Sequence, residues 1–391
     1  MINISDISYL EKELKNNFTC FHQNPELSFK EFKTAEKVCE KLKEYGVDDI
    51  HTQVNGSTGV IASIRGAGGK KTIALRADMD ALPMSEKSGV DYPSKNEGVM
   101  HACGHDGHTA MLLAAARFFC ENRSLIHGTI KLIFQPAEEY GKQPSGATVM
   151  MQSGLLEDVD EIFGIHLNTQ LASGVVQVPE KAMGASTDSI KIRIRGKGGH
   201  GALPYLAVDP IIMTANIVTA MQTLIARENN SFSPVVLTFG GIKSSSEGDN
   251  IIPDFVDIRG TLRTFDPQVQ EYMLQRIREL ASDIAKAYRG SAEIEIPEGY
   301  CATINNEILA KQIYTTMKSV LPANRLQYGH FPMMGSEDFG YYLKSIPGAF
   351  YWIGCAGNYP QSLHNPAMQV DLDALKTGVA SHINVALDSL N

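Results

Sequence analysis

Residues 100–110, Met-His-Ala-Cys-Gly-His-Asp-Gly-His-Thr-Ala, carry three histidines (His101, His105, His108), one cysteine (Cys103) and one aspartate (Asp106) on eleven consecutive positions. Cys103 and His105 are two apart, so both side chains can turn toward one ion from a loop. Thiolate with imidazole is a borderline-soft donor set, which favours zinc or a similar divalent transition metal over calcium or magnesium. The apolar run 110–119 follows at once, so the cluster opens a helix, where backbone N–H groups lack intrahelical partners. The competing reading is a polar helix cap with a buried structural cysteine.

Further candidates end strand-like runs, where α/β proteins hold ligands. In Leu75-Arg-Ala-Asp-Met-Asp-Ala-Leu-Pro, Asp78 and Asp80 share a face of an extended chain. They can ligate metal, hydrogen-bond a ligating histidine, or simply be solvated at a loop start. Phe134-Gln-Pro-Ala-Glu-Glu-Tyr puts Glu138 beside Glu139. Adjacent buried carboxylates resist joint ionisation. A metal removes the conflict if one binds it and the other takes a proton from its water. In an extended segment the two side chains diverge, which suits that division of labour. His166 and His364 stand at the end of a strand-like run and in Ser-Leu-His-Asn-Pro; each alone reads as structural more often than as a ligand.

The elements that must position these residues follow from periodicity. Helices are expected at 5–17, 28–45 (ended by Gly46), 107–121 and 145–153, with strands at 59–64, 72–76, 129–134 and 161–166. That alternation implies an α/β domain with a mostly parallel central sheet. From about residue 187 the texture changes. Ser189-Ile-Lys-Ile-Arg-Ile-Arg alternates strictly, as a half-exposed antiparallel strand does. A helix at 208–228, strands at 234–242 and 254–264, a helix at 267–289 and a strand at 292–296 complete a β-α-β-β-α-β, ferredoxin-like arrangement. After Pro297 the α/β pattern resumes and closes with a helix from about 371. The expected organisation is a catalytic domain from 1–186 plus 298–391, with 187–297 inserted as a lid.

The 391 residues exceed one ordinary core. A net charge of −9 without charge runs excludes nucleic acid and anionic membrane surfaces as partners. No membrane-length apolar run and no signal peptide are visible. The six cysteines are scattered without a CxxC pair, so reduced thiols and a cytoplasmic location are expected, five of them as buried apolar residues.

Taken jointly, the stretches resemble the M20 family of metal-dependent amidohydrolases and peptidases, in its aminoacylase, hippurate-hydrolase and indoleacetyl-amino-acid-hydrolase branch. The matching segments run in family order: His22-Gln-Asn-Pro-Glu-Leu, Leu75-Arg-Ala-Asp-Met-Asp-Ala-Leu-Pro, Met100-His-Ala-Cys-Gly-His-Asp-Gly-His, Gln135-Pro-Ala-Glu-Glu, Gly198-Gly-His-Gly, Asn250-Ile-Ile-Pro, Ser336-Glu-Asp-Phe and Leu363-His-Asn-Pro. The resemblance implies Cys103, His105, Glu139, His166 and His364 around one or two divalent ions (zinc, manganese, nickel or cobalt), with Cys103 bridging. It implies Glu138 as general base, His200 as the lid group steadying the oxyanion, and Asn250 and Arg263 on the substrate carboxylate. The implied substrate is a small N-acyl amino acid, with dipeptides or N-acetyl-diaminopimelate as alternatives, and the implied assembly is a homodimer or homotetramer through the lid. One segment departs from the pattern: Glu139-Tyr-Gly-Lys-Gln-Pro-Ser-Gly-Ala is longer than the glycine-rich link of many relatives.

Two other classes compete. Gly196-Lys-Gly-Gly-His-Gly formally fits the dinucleotide fingerprint, but Pro204 follows and no helix opens at its last glycine. A metal-binding protein that has lost catalysis would not need Glu138 beside Glu139.

Overall fold

The computed structural model describes residues 1–357 and 361–391. The chain divides into two compact units, one of Met1–Met183, Ile304–Pro332 and Asp338–Asn391, the other of Gly184–Thr303 and Met333–Glu337.

The first unit is built on an eight-stranded sheet. Its order is Asp49–His51, Val60–Arg65, Thr129–Gln135, Thr72–Asp78, Glu161–Ala172, Gly348–Ala356, Val176–Pro179, Leu326–Gly329. The four central strands run parallel, as the alternation of strands and helices requires. The sheet is mixed but mostly parallel, as expected: four pairings are parallel, and three nearer the edges are antiparallel. Thr72–Asp78 is buried at every position. Ile73, Leu75 and Ala77 pack into one core and Ala74 into the other.

The helix His105–Glu121 is apolar almost all round and correspondingly buried. Truncating its Phe119 to alanine should cost about 3–5 kcal/mol. Gly104 precedes it at φ 90°, a left-handed turn that favours glycine. At Gly107 a Cβ would come within 2.5 Å of Leu167, so the helix approaches the Glu161–Ala172 strand closely.

Several expected boundaries move. The first helical segment is a 3-10 turn, Ile4–Leu10, followed by Glu11–Gln23. The second begins at Phe32 rather than 28, because Phe29 is left-handed and its N–H bonds to the Glu31 carboxylate. Glu138–Tyr140 is a single 3-10 turn after left-handed Ala137, not an extended segment. Cys20, Cys120 and Cys301 are only half-buried, and none of the six cysteines is in a disulfide.

The second unit is a four-stranded antiparallel sheet ordered Val235–Ser244, Phe255–Thr264, Asp188–Arg195, Ser291–Glu295. Helices Pro210–Thr223 and Pro267–Ala287 cover one face, packing on Ile190, Ile192 and Ile194. Asp209 and Asp266 cap these helices, each with proline at the first helical position. The expected 208–228 helix ends as a π-turn, Leu224–Glu228. This is the ferredoxin-like arrangement. Among the described residues no helix is long and apolar enough to cross a membrane.

Candidate metal centre

The start of the His105–Glu121 helix, the turn Glu138–Tyr140, the strand Glu161–Ala172 and the loop carrying His364 bring the donors together. The Cys103, His105 and His166 donor atoms lie within 4.8 Å of one another, as do those of Cys103, Glu139 and His364. The two triads share Cys103. Cys103 Sγ is 3.5 Å from His166 Nε2, and Glu139 Oε1 is 2.9 Å from His364 Nε2. Ligands bound to one ion at 2.0–2.3 Å in tetrahedral array sit about 3.3–3.8 Å apart, so the first spacing suits co-ligation. Glu139 Oε1 has no hydrogen-bond partner despite its histidine neighbour. His364 is half-exposed at φ 62°, and its N–H bonds to Ala102 O at 2.7 Å, which ties its loop to the cysteine loop.

Hydrogen bonds determine which imidazole nitrogens are available. His105 Nδ1 donates to Asp80 O at 2.9 Å and faces Asp80 Oδ1 at 3.2 Å. That leaves its Nε2, buried and without a hydrogen-bond partner, as the nitrogen that can face an ion once deprotonated. His166 Nδ1 donates to Leu167 O at 2.7 Å, leaving Nε2 toward Cys103. His108 also lies within reach of His105 and Asp78, but both its nitrogens are taken. Nδ1 donates to Asp78 Oδ1 at 2.6 Å and Nε2 accepts Leu167 N at 2.8 Å. It is a neutral bridge rather than a ligand, and burial holds its pKa below the usual range.

The two aspartates separate in role. Asp78, still within its strand, takes Arg76 Nη1 at 2.6 Å and His108. Arg76, fully buried, also binds Asp338 at 2.9 Å and Gln135, which fixes this carboxylate with its Oδ2 3.5 Å from His105 Nε2. Asp80, past the strand end, accepts Glu138 N at 3.1 Å, Glu139 N at 2.9 Å and the Ser28 hydroxyl at 2.6 Å, besides orienting His105. Glu138 Oε2 is 3.9 Å from His105 Nε2.

The electrostatics match a cation's site. Burial, then Glu139, Glu138 and Asp78, push the Cys103 thiol well above its ordinary pKa. Burial opposes a charge on His105, yet Asp78, Asp80 and Glu139 raise it to about 10. Burial, with His108 beside it, drives His166 well below its usual value. Carboxylates thus outnumber the cations, and an orphaned imidazole nitrogen and a thiol face the gap. The donor set fits one or two divalent ions.

Residues 22, 86, 101 and 106 form a second layer. His22 bonds Asp106 at 2.6 Å and Glu86 at 3.1 Å. Burial works against its charge, but the two carboxylates raise it to about 9. His101 is buried with neither nitrogen paired.

The remaining candidates lie on the second unit. His200, on the exposed strand Gly199–His200, pairs with Ile251, and its Nδ1 accepts Ala202 N at 3.1 Å. Nε2 therefore carries its proton. Asn250 is adjacent, its carbonyl accepting Gly201 N at 2.7 Å. Arg263 stands apart on the Phe255–Thr264 strand, bonded to Thr261 and Leu262 O, and burial lowers its pKa. Sequence reasoning assigned no role to Glu31 or Arg76, and His108 entered only as one histidine of the metal-type cluster; the signal for Arg76 was a charge interrupting a strand-like run.

Comparison with known proteins agrees with this geometry. The chain is 38% identical over 376 residues to "Thermostable carboxypeptidase 2" of Saccharolobus solfataricus, covering 95% of this chain and 93% of that one. It is 39% identical over 374 residues to "N-acetyl-L-cysteine deacetylase" of Bacillus subtilis, covering 95% and 87%. The crystal structure of the Bacillus subtilis YXEP protein, a dinuclear metal binding peptidase from the M20 family, superposes with a TM-score of 0.85 at 31% identity, covering 98% and 99%. Residues 74–388 match Peptidase family M20/M25/M40, and the chain belongs to that family of amide-cleaving hydrolases.

Proposed function

We propose that the protein is a metal-dependent amidohydrolase that cleaves N-acyl amino acids to a carboxylic acid and a free amino acid. The observation that carries this reading is the pair of donor triads sharing Cys103, with Glu138 beside them. Cys103, His105, Glu139, His166 and His364 would hold one or two ions of zinc, manganese, nickel or cobalt; the dinuclear YXEP protein supports two. Such an ion, when bound, supplies Lewis acidity that brings the pKa of water toward neutrality and polarises a carbonyl. Glu138 takes the proton of the attacking water and delivers it to the leaving nitrogen as the C–N bond breaks. The water oxygen ends in the carboxylate product and the amine leaves with its new proton. His200, through its Nε2–H, is assigned to the developing oxyanion, and Asn250 and Arg263 to the substrate's α-carboxylate.

The deacetylase relative supports an acyl substrate. The carboxypeptidase relative supports a second reading, release of an amino acid from a peptide or dipeptide. Both cut an amide to an amino acid with a free α-carboxylate. A panel of N-acetyl and N-benzoyl amino acids, dipeptides and N-acetyl-diaminopimelate, assayed with metal-loaded protein, separates them. Turnover of dipeptides alone would reverse the ranking, and metal uptake with no hydrolysis would identify a binding protein. Exposed Leu203, Tyr205, Leu206, Ile211 and Ile212 support assembly through the second unit as a homodimer or homotetramer, which light scattering tests. Six cysteines with no disulfide among them suit a reducing cytoplasm.

A further inference from the structure

One buried carboxylate near the site has no task in that mechanism. Glu31 is completely buried. Its Oε1 accepts two backbone N–H groups, from Ala137 and from Phe29, each at 2.9 Å, and Oε2 accepts the Thr58 hydroxyl. Both backbone donors are left-handed residues other than glycine, at φ 54° and 60°. That conformation persists only where surroundings impose it. The next two N–H groups, of Glu138 and Glu139, point at Asp80. Three consecutive amides therefore face two carboxylates from other segments. Such a concave run of N–H groups binds anions, and here the anions are the protein's own. Burying a carboxylate is costly without these partners. Burial, then the charge of Asp80, raises the Glu31 pKa to about 7.

We propose that Glu31 is a positioning residue whose carboxylate holds Ala137 left-handed and thereby aims Glu138 and Glu139 at the metal centre. This rests on the reading of Glu138 as base and Glu139 as ligand. Asp80 fixes the second and third amides of the turn, but the residue that reverses the chain is Ala137, and Glu31 alone among the described residues takes its N–H.

The test uses Glu31→Ala and Glu31→Gln, each with and without Ala137→Gly. Glycine adopts this backbone at no steric cost. Gln keeps an accepting oxygen but loses the charge-assisted bonds. Zinc and manganese affinity are read by chelator competition, kcat and KM at saturating metal, and the unfolding midpoint. Glu31→Ala should weaken metal binding and lower kcat, each on the order of 10–100-fold, with KM nearly unchanged. Glu31→Gln should lose less, and Ala137→Gly should restore most of both losses in either background. A purely structural carboxylate would lower the midpoint and leave affinity and kcat alone. Folded Glu31→Ala with wild-type affinity and kcat, or no recovery on adding Ala137→Gly, overturns the proposal. Should Glu31→Ala not fold, the Glu31→Gln pair carries the same comparison. Failure of the base assignment would show elsewhere, as wild-type turnover in Glu138→Gln, while the effect of Glu31→Ala on metal affinity persisted.

Discussion

Asp80→Asn changes one atom and should unmake the site. Asp80 Oδ1 serves His105 Nδ1 and Glu138 N; Oδ2 serves Glu139 N and Ser28. Asparagine has one accepting oxygen and one NH2, so one side must meet a donor. If the NH2 takes the Oδ1 side, His105 retains the Asp80 main-chain carbonyl at 2.9 Å but Glu138 N–H is orphaned. If it takes the Oδ2 side, Ser28 can rotate to accept but Glu139 N–H is orphaned. Either choice leaves one buried donor unpaired, about 1–3 kcal/mol of stability. Metal affinity should fall on the order of 10–100-fold, because His105 loses its anionic partner and the glutamate turn loosens. Trp352, the sole tryptophan, lies in the central Gly348–Ala356 strand with its ring centroid 5.2 Å from that of His166. Its fluorescence reports unfolding of this unit in urea, and chelator competition gives the affinity. Wild-type urea midpoint and metal affinity in Asp80→Asn would refute the hydrogen-bond accounting.

Glu138→Gln should keep fold and metal but lose on the order of 10²–10⁴ in kcat, whereas Glu139→Gln should lose metal by elemental analysis. Metal binding should change Trp352 fluorescence, because His166 Nε2 becomes coordinated beside the indole; a titration with no spectral change would argue against His166 as ligand. Full activity after exhaustive chelation, with metal loss verified, would remove the metal from the mechanism. The His22 pair predicts a pH dependence. Its pKa is raised to about 9, so its contribution to stability is complete below its unfolded value near 6.5 and is lost as pH rises through 9. The loss should be about 3 kcal/mol, read as a falling urea midpoint between pH 6.5 and 9.5, and His22→Gln should flatten that slope.

Residue type and spacing carried the donors. Cys103 and His105 two apart, and Glu138 beside Glu139, are legible because metal chemistry restricts which side chains can serve. The α/β reading of the first unit was legible for a similar reason: strands buried on both faces carry unbroken apolar stretches, as at 73–75. What the sequence could not convey is backbone hand. Ala137 and Phe29 carry no mark of a positive φ, so 28–31 read as helix and 138–140 as extended. Nor could it separate Asp78 from Asp80. The two are alike in type, and only the strand's end at 78 gives Asp78 to Arg76 and His108 and lets Asp80 reach His105 Nδ1 and the glutamate turn.

The interrupted path of the first unit has a consequence for synthesis on the ribosome. Cys103, His105, Glu139 and His166 all emerge before the second unit, but His364 and the strand beside Glu161–Ala172 come after it. From residue 172 to residue 348, at about 5–20 residues per second, the growing chain waits roughly 9–35 s with the edge of its longest strand unpaired. An open edge of that kind is a template for joining another nascent copy. The autonomous core of the second unit gives the intervening chain something to fold into during the delay.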